Sequence, residues 1–443
     1  MNFIAAETSS KERKVSILFK NVKLLEEYGY GDSTVNVLTD KEYIKYVGRD
    51  LPEGQADKVI EGNGNLLMPG FYNTHCHSAM TLFRGYGDDL PLQRWLNEKI
   101  FPAEDRLNEE RVYTGSMIAI AEMIRNGVVS FSDMYFFLDE TARAVEETGI
   151  KANLSRSIVS FDKDADFSKD QRVLESISVF DRWHGKADGR IKIDMSLHAE
   201  YSNVEGCFRY VADLAKRMGT GFQIHVSETM TEHREGIERR GMTPMRFLES
   251  CGVLDVPVTA AHCVFVSNDD IKLMAENGVS VAHNPVSNLK LGSGVMPYKK
   301  MKDAGVNITL GTDGVASNNR LSILRELQFA TLIHKGVERD PSVTLASDMI
   351  RCATKNGAVA QGRADCGEIK EGMRADLILI DMNAINNIPA YSIDSAVCYS
   401  ANDDNVIMTV VDGNILYENG SYTTIDEELL RYNAKNVTSH YFD

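Results

Sequence analysis

No Cys-X-X-Cys pair occurs in this chain, although it holds seven cysteines (Cys76, Cys207, Cys251, Cys263, Cys352, Cys366 and Cys398). An odd, dispersed set argues against a disulfide framework and predicts reduced thiols in a cytoplasmic protein. Positive charge is in short supply: 48 Lys and Arg stand against 64 Asp and Glu, a formal net charge of −16. Nucleic acid and anionic membranes are therefore poor partners, because phosphate binding needs local positive charge. No apolar run approaches the length of a membrane span. The first residues, Met-Asn-Phe-Ile-Ala-Ala-Glu-Thr, lack a basic region followed by an apolar core, so no signal peptide is expected. No low-complexity tract, linker or internal repeat interrupts the chain. What is there is an ordinary globular composition, 43% hydrophobic and 25% charged, over 443 residues. That length accommodates a large barrel with an appended module.

Residues 14–25 and 33–38 read as strands, and short strand and turn signals continue to about Leu67. From Leu66 the texture changes. Apolar runs of strand length (66–77, 128–135, 151–160, 191–201, 221–228, 257–264, 279–288 and 307–314) alternate with amphipathic segments such as 109–125, 138–148, 207–218, 244–251 and 269–277. Eight strand–helix repeats predict an α/β fold, a (β/α)8 TIM barrel. A doubly wound sheet is the alternative, but no Gly-X-Gly-X-X-Gly turn follows the first of these strands. After Gly367 strands return, with a hairpin expected at 406–417 around Asp412-Gly413-Asn414, and a polar helix near 426–436 closes the chain. The expected organisation is a barrel over 66–365 and a small β-sandwich built from both termini, 1–65 and 366–443.

In a barrel, functional groups sit at the C-terminal ends of the strands. His75 and His77 end the first run. Their i, i+2 spacing puts both on one face of a strand. His198 ends the fourth, His225 and Glu228 the fifth, His262 the sixth, His283 the seventh and Asp313 the eighth. Six of the ten histidines thus fall at one end of the barrel. Taken singly, each has an ordinary reading: a hydrogen-bonded core histidine, a helix N-cap for Asp313, a helix-start carboxylate for Glu228. Together, imidazoles and a carboxylate form a donor set for one divalent metal ion, Zn²⁺ or Fe²⁺. An open position on such an ion activates water, and a neighbouring carboxylate shuttles protons. That chemistry is hydrolytic attack on an electron-poor carbon with loss of an amine or similar group.

Several motifs carry a resemblance: Pro-Gly-Phe-Tyr-Asn-Thr-His-Cys-His, His-Val-Ser-Glu, Ala-Ala-His-Cys, His-Asn-Pro-Val-Ser-Asn-Leu-Lys-Leu-Gly-Ser-Gly and Leu-Gly-Thr-Asp-Gly-Val-Ala-Ser-Asn-Asn. Over essentially its whole length the chain resembles the amidohydrolase superfamily, and within it the branch that deaminates S-adenosylhomocysteine and 5′-methylthioadenosine. The resemblance implies that His75, His77, His225 and Asp313 bind one divalent metal, most often Zn²⁺. No lysine ends the fourth strand to be carboxylated, which speaks for a single metal. Glu228 would take a proton from water and deliver it to N1 of adenine during attack at C6. His262 would hydrogen-bond the attacking oxygen, and Asp313 would help move the second proton to the leaving ammonia. Trp95 would line a nucleoside pocket; its ordinary reading is a core aromatic. Glu104 would accept the ribose hydroxyls; otherwise it is a helix-start carboxylate. Arg156, and Arg172 in a following polar loop, would bind a substrate's carboxylate tail; for Arg172 the alternative is a solvated charge. His198 would contact the ribose or the adenine edge.

One departure bears on the substrate. Where relatives often carry proline, this chain has Glu200. An additional carboxylate near the pocket would disfavour an anionic tail and favour a neutral or cationic one, leaving 5′-deoxyadenosine, 5′-methylthioadenosine or adenosine beside S-adenosylhomocysteine. A second reading is an amidohydrolase acting on guanine, a pterin or a chlorotriazine. A third is a metal-free scaffold without catalysis. The expected partner is a small-molecule substrate, and a homo-oligomer is compatible with all of this.

Overall fold

The computed structural model describes residues 15–439 and 441–442. Eight parallel strands follow one another around a barrel: Phe71–Cys76, Val128–Tyr135, Lys151–Arg156, Ile191–Ala199, Phe222–Val226, Val258–His262, Ser280–His283 and Asn307–Leu310. Residues of these strands are mostly buried on both faces, as parallel strands wrapped in helices are. The first and eighth strands meet through side chains. Thr74 Oγ1 lies 2.7 Å from Thr309 Oγ1, Asn73 Nδ2 donates to Thr312 Oγ1 at 2.8 Å, and the Asp313 N–H donates to the His75 carbonyl at 2.9 Å. The helices begin where short polar side chains can accept orphan backbone N–H groups. Asn108 caps Glu109–Arg125, Asp170 caps Gln171–Trp183, and Ser322 caps Ile323–Glu338.

Several strands stop short of their apolar runs. The run 66–77 is two strands. Leu66–Pro69 pairs antiparallel with Leu377–Ile380, and only Phe71–Cys76 enters the barrel. Between them Gly70 passes so close to Val129 that a Cβ would sit 2.2 Å from its Cγ1. The run 279–288 leaves the sheet after His283, and Pro285 opens the helix Pro285–Lys290.

Two further sheets form the β-sandwich. One orders Tyr43–Gly48, Val35–Asp40, Ser16–Val22 and Lys58–Glu61; the other orders Ser421–Tyr422, Asn414–Glu418, Val406–Val411, Leu377–Ile380 and Leu66–Pro69. Alternation divides the shared strands between two cores. Leu67, Leu377 and Leu379 join Ile17, Phe19 and Val37 inside the sandwich, while Leu66, Met68, Ile378 and Ile380 face the barrel. The expected hairpin is present, with Asp412 and Gly413 both at positive φ (47° and 74°). The closing helix spans Glu427–Thr438.

Sandwich and barrel are pinned by a buried charge cluster. Lys151, at the start of the third barrel strand, is 1% exposed. Its ammonium contacts Asp376, and Asp412 Oδ1 at 2.7 Å. Removing one partner of a buried pair leaves uncompensated charge. Lys151→Met is expected to lower unfolding free energy by about 3–5 kcal/mol, read as the midpoint of denaturant unfolding, with Asp376→Asn in the same chain recovering part of the loss. Among the described residues, no helix is long and apolar enough to cross a membrane.

Candidate active site

His75 lies inside the first barrel strand and His77 one residue past its end, with His225 on the fifth strand and Asp313 beyond the eighth. Their ligand atoms converge. His225 Nε2 is 3.1 Å from His75 Nε2 and 3.4 Å from His77 Nε2; Asp313 Oδ1 is 3.2 Å from His77 Nε2 and 3.6 Å from His75 Nε2. The second nitrogens fix the tautomers. His77 Nδ1 bonds the Met134 carbonyl and His225 Nδ1 the His198 carbonyl, both at 2.7 Å. A carbonyl only accepts, so each Nδ1 carries the proton and each Nε2 presents a lone pair. Burial holds His75 down at about 4 and His225 well below its usual range, so both are neutral donors. At His77 burial acts the same way, but the Asp313 carboxylate outweighs it and raises the pKa, so a divalent ion held by Asp313 would take the place of the proton on His77 Nε2. Lone pairs and a carboxylate crowded within hydrogen-bond distance repel one another unless a cation sits among them. The donor set fits a divalent ion.

Asp313 is held from several sides. Its Oδ1 accepts the Gly314 N–H at 2.7 Å, and Oδ2 accepts the Ser287 and Ser317 hydroxyls at 2.6 and 2.9 Å. Its backbone is left-handed, φ 58°. Glu228 stands beside the cluster. Its Oε2 is 3.9 Å from His262 Nε2, and its Oε1 accepts the Ser293 hydroxyl at 2.9 Å. Burial raises the Glu228 pKa above that of a solvated glutamate. The loop that aims it is braced by Glu232, whose carboxylate accepts the Ser227 and Glu228 N–H groups at 2.8 and 2.7 Å. His262 is oriented by Asn288 Oδ1, 2.7 Å from its Nδ1.

The remaining expected residues divide. His198 joins the group, its ring centroid 4.9 Å from that of His225. Glu104 lies beside Tyr135 and feels the charge of His77; burial pushes it up to about 7. Trp95 is buried in the core, at the end of the helix Leu92–Trp95. Arg156 ends the third strand, half-buried, its Nε donating to Glu175 at 3.0 Å and its guanidinium stacked over Phe136. Arg172 is not in a loop: it sits in the first turn of Gln171–Trp183, because Asp170 caps the helix directly before it. Its side chain is exposed, 3.8 Å from Asp170. His283 does not reach the cluster; its Nε2 lies 3.0 Å from His334 Nε2, from the helix behind it.

Glu200 corrects an expectation. It is 1% exposed and is no free carboxylate. Arg239 Nη2 and Arg240 Nε each donate to it at 2.6 Å, so its charge is answered by two arginines of the helix Met230–Arg240. The groups sequence reasoning missed are Asp133, Ser287, Ser293, Ser317 and Asn288, which hold the reactive side chains in place. Asp133, for one, accepts the Ser78 N–H at 2.7 Å and so shapes the turn after His77. Ser287, Asn288, Ser293 and Ser317 stand inside the quoted motifs, which was the available signal.

The amidohydrolase family profile matches residues 66–416, spanning every strand of the barrel and all the converging groups. The chain belongs to the amidohydrolase family. A 5-methylthioadenosine/S-adenosylhomocysteine deaminase of Dictyoglomus thermophilum is 45% identical over 394 residues, covering 89% of this chain and 92% of that one. A 5′-deoxyadenosine deaminase of Methanobrevibacter smithii is 39% identical over 422 residues, 95% and 97% of the two chains. Among solved structures, an adenosine deaminase from Xanthomonas campestris with bound zinc superposes with a TM-score of 0.88 at 31% identity, over 95% of this chain and 97% of that one. This amidohydrolase therefore shares its architecture with that adenosine deaminase over 95% of its length.

Proposed function

We propose that this amidohydrolase hydrolytically deaminates an adenosine derivative, replacing the 6-amino group by oxygen and releasing ammonia. The convergence of His75, His77, His225 and Asp313 beside the Glu228–His262 pair carries the reading. These four residues would hold one divalent ion, and the zinc of the Xanthomonas structure favours Zn²⁺. Such an ion supplies Lewis acidity that lowers the pKa of water towards neutrality. The chain does the rest. Glu228 takes a proton from the attacking water and delivers it to N1, so that the ring accepts the new C6–O bond. His262 steadies the attacking oxygen. Asp313 passes the second proton towards the amine, the C6–N bond breaks, and ammonia leaves as the C6 carbonyl forms.

Glu104, beside Tyr135 and within the influence of His77, would accept ribose hydroxyls. Trp95 would line the nucleoside pocket, and His198 would meet the ribose or base edge. Arg156 and Arg172 would take an anionic tail in exchange for Glu175 and Asp170, and Glu200 is already paired with two arginines. The relatives' names point to 5′-methylthioadenosine, S-adenosylhomocysteine and 5′-deoxyadenosine. Seven buried, unpaired cysteines fit a reducing, cytoplasmic setting.

The test is ammonia release across these three nucleosides, adenosine, free adenine, guanine and a pterin. Turnover of guanine or the pterin with none of the adenosines would overturn the proposal. Glu104→Ala is expected to raise KM for the nucleosides by about 10- to 100-fold, the loss of a charged hydrogen-bond acceptor, and to leave free adenine little changed. Equal effects on both would remove Glu104 from the ribose.

A further inference from the structure

We propose that Glu326, which lies outside every motif quoted above, is a positioning residue of the active site: it ties together the two turns that hold Asp313 and His262. The inference rests on the single-ion reading of that site. Glu326 stands in the first turn of the helix Ile323–Glu338, where an ordinary glutamate lies in water and complements the helix dipole. This one is 0% exposed. Burial pushes its pKa up to about 8. A buried carboxylate is costly unless its oxygens are answered by hydrogen bonds. Here the answer comes from two different barrel loops. Oε2 accepts the Val286 N–H at 3.0 Å, and Oε1 accepts from Asn318 Nδ2 at 2.7 Å.

Each of those donors is the chain neighbour of a serine that touches Asp313. Val286 precedes Ser287, and Asn318 follows Ser317. The two hydroxyls lie 3.0 Å apart, and both donate to Asp313 Oδ2. One residue beyond Ser287, Asn288 orients His262. Val286, Ser287 and Asn288 stand in the helix Pro285–Lys290, whose first N–H groups have no partner within the helix, and Glu326 supplies one. Asn318 closes the turn Val315–Asn318. Its amide is held from both sides. Oδ1 accepts from Arg325 Nη1 at 3.1 Å, so Nδ2 is turned towards Glu326 and towards the carbonyl of Thr312, 2.7 Å away and next to Asp313. One carboxylate thus keeps the seventh-strand and eighth-strand turns in register, and Asp313, shared between them, is aimed by both. Without the tie the turns move independently, and Asp313 and His262 lose their common frame.

Competition for Zn²⁺ between the full chain and a chromogenic chelator tests this. Glu326→Gln keeps the size of the side chain but turns an N–H donor towards one of the two amides. It is expected to weaken Zn²⁺ binding by about 10- to 100-fold, the usual cost of removing an outer partner of a metal site, and to lower kcat in parallel. Glu326→Asp keeps the charge but withdraws it by one methylene. It is expected to weaken binding in the same direction, and it supplies the reading if the glutamine variant does not fold. Lys151→Met, at the opposite end of the barrel, controls for lost stability and should leave Zn²⁺ affinity unchanged. A folded Glu326 variant that binds Zn²⁺ as tightly as the parent overturns the proposal and leaves the single-ion reading standing. So does an equal loss of affinity in Lys151→Met. A parent that takes up no Zn²⁺ overturns both.

Discussion

Glu228→Gln is expected to lower kcat by about 10³-fold or more, at the upper part of what general acid–base catalysis contributes, while leaving the metal content unchanged. The amide keeps the size of the carboxylate and can still accept from the Ser293 hydroxyl. It cannot take up a proton. The proposed ligand atoms belong to His75, His77, His225 and Asp313, and the substitution touches none of them. The parent's kcat/KM should fall on acidification, since a proton acceptor works only when ionised. Burial raises the Glu228 pKa, so that fall should begin at higher pH than for a solvated glutamate, and Glu228→Gln should lack it. Steady-state rates with elemental analysis of the same sample decide it. A variant within tenfold of the parent rate would remove Glu228 from proton transfer.

Chelation should have an effect of similar size by another route. Dialysis against a strong chelator is expected to abolish ammonia release, and stoichiometric Zn²⁺ or Fe²⁺ to restore it. Stability should change in parallel. A ligand that binds only the folded chain stabilises it by about 2.7 kcal/mol at a hundred times its Kd, so the depleted protein should melt several degrees lower. His225→Ala should mimic depletion and resist rescue, because it deletes the donor nearest to both other imidazoles. Elemental analysis of the reloaded parent should give one ion per chain. Two ions, or full activity after depletion, would refute the single-metal reading.

Much of this site was legible because its residue types are scarce. Histidine is rare in the chain, so a pair at i, i+2 and further single histidines at strand ends stood out against a countable background. Strand count and order were legible for a related reason: parallel strands covered on both faces leave continuous apolar runs. The same property hid the boundary at Gly70. Leu66–Pro69 belongs to a sandwich sheet and Phe71–Cys76 to the barrel, both are buried throughout, and nothing in hydrophobicity separates them. Glu200 was misread because its two arginines lie 39 and 40 residues on, brought beside it only by folding. His283 shows that a strand end fixes a position and not a direction. Ser287, Ser293, Ser317 and Asn288 were hidden because serine and asparagine are common everywhere; only geometry picks out the few that orient a carboxylate or an imidazole.

The hydrogen bond from the Asp313 amide to the His75 carbonyl has a consequence for biosynthesis. It crosses the seam of the ring, where the first barrel strand to leave the ribosome meets the last barrel strand. The donors on either side of that seam are made more than two hundred residues apart. A nascent chain can therefore present only part of the chelating pocket until Asn307–Leu310 has emerged and docked. Tight uptake of an ion by the proposed site would then be a late event.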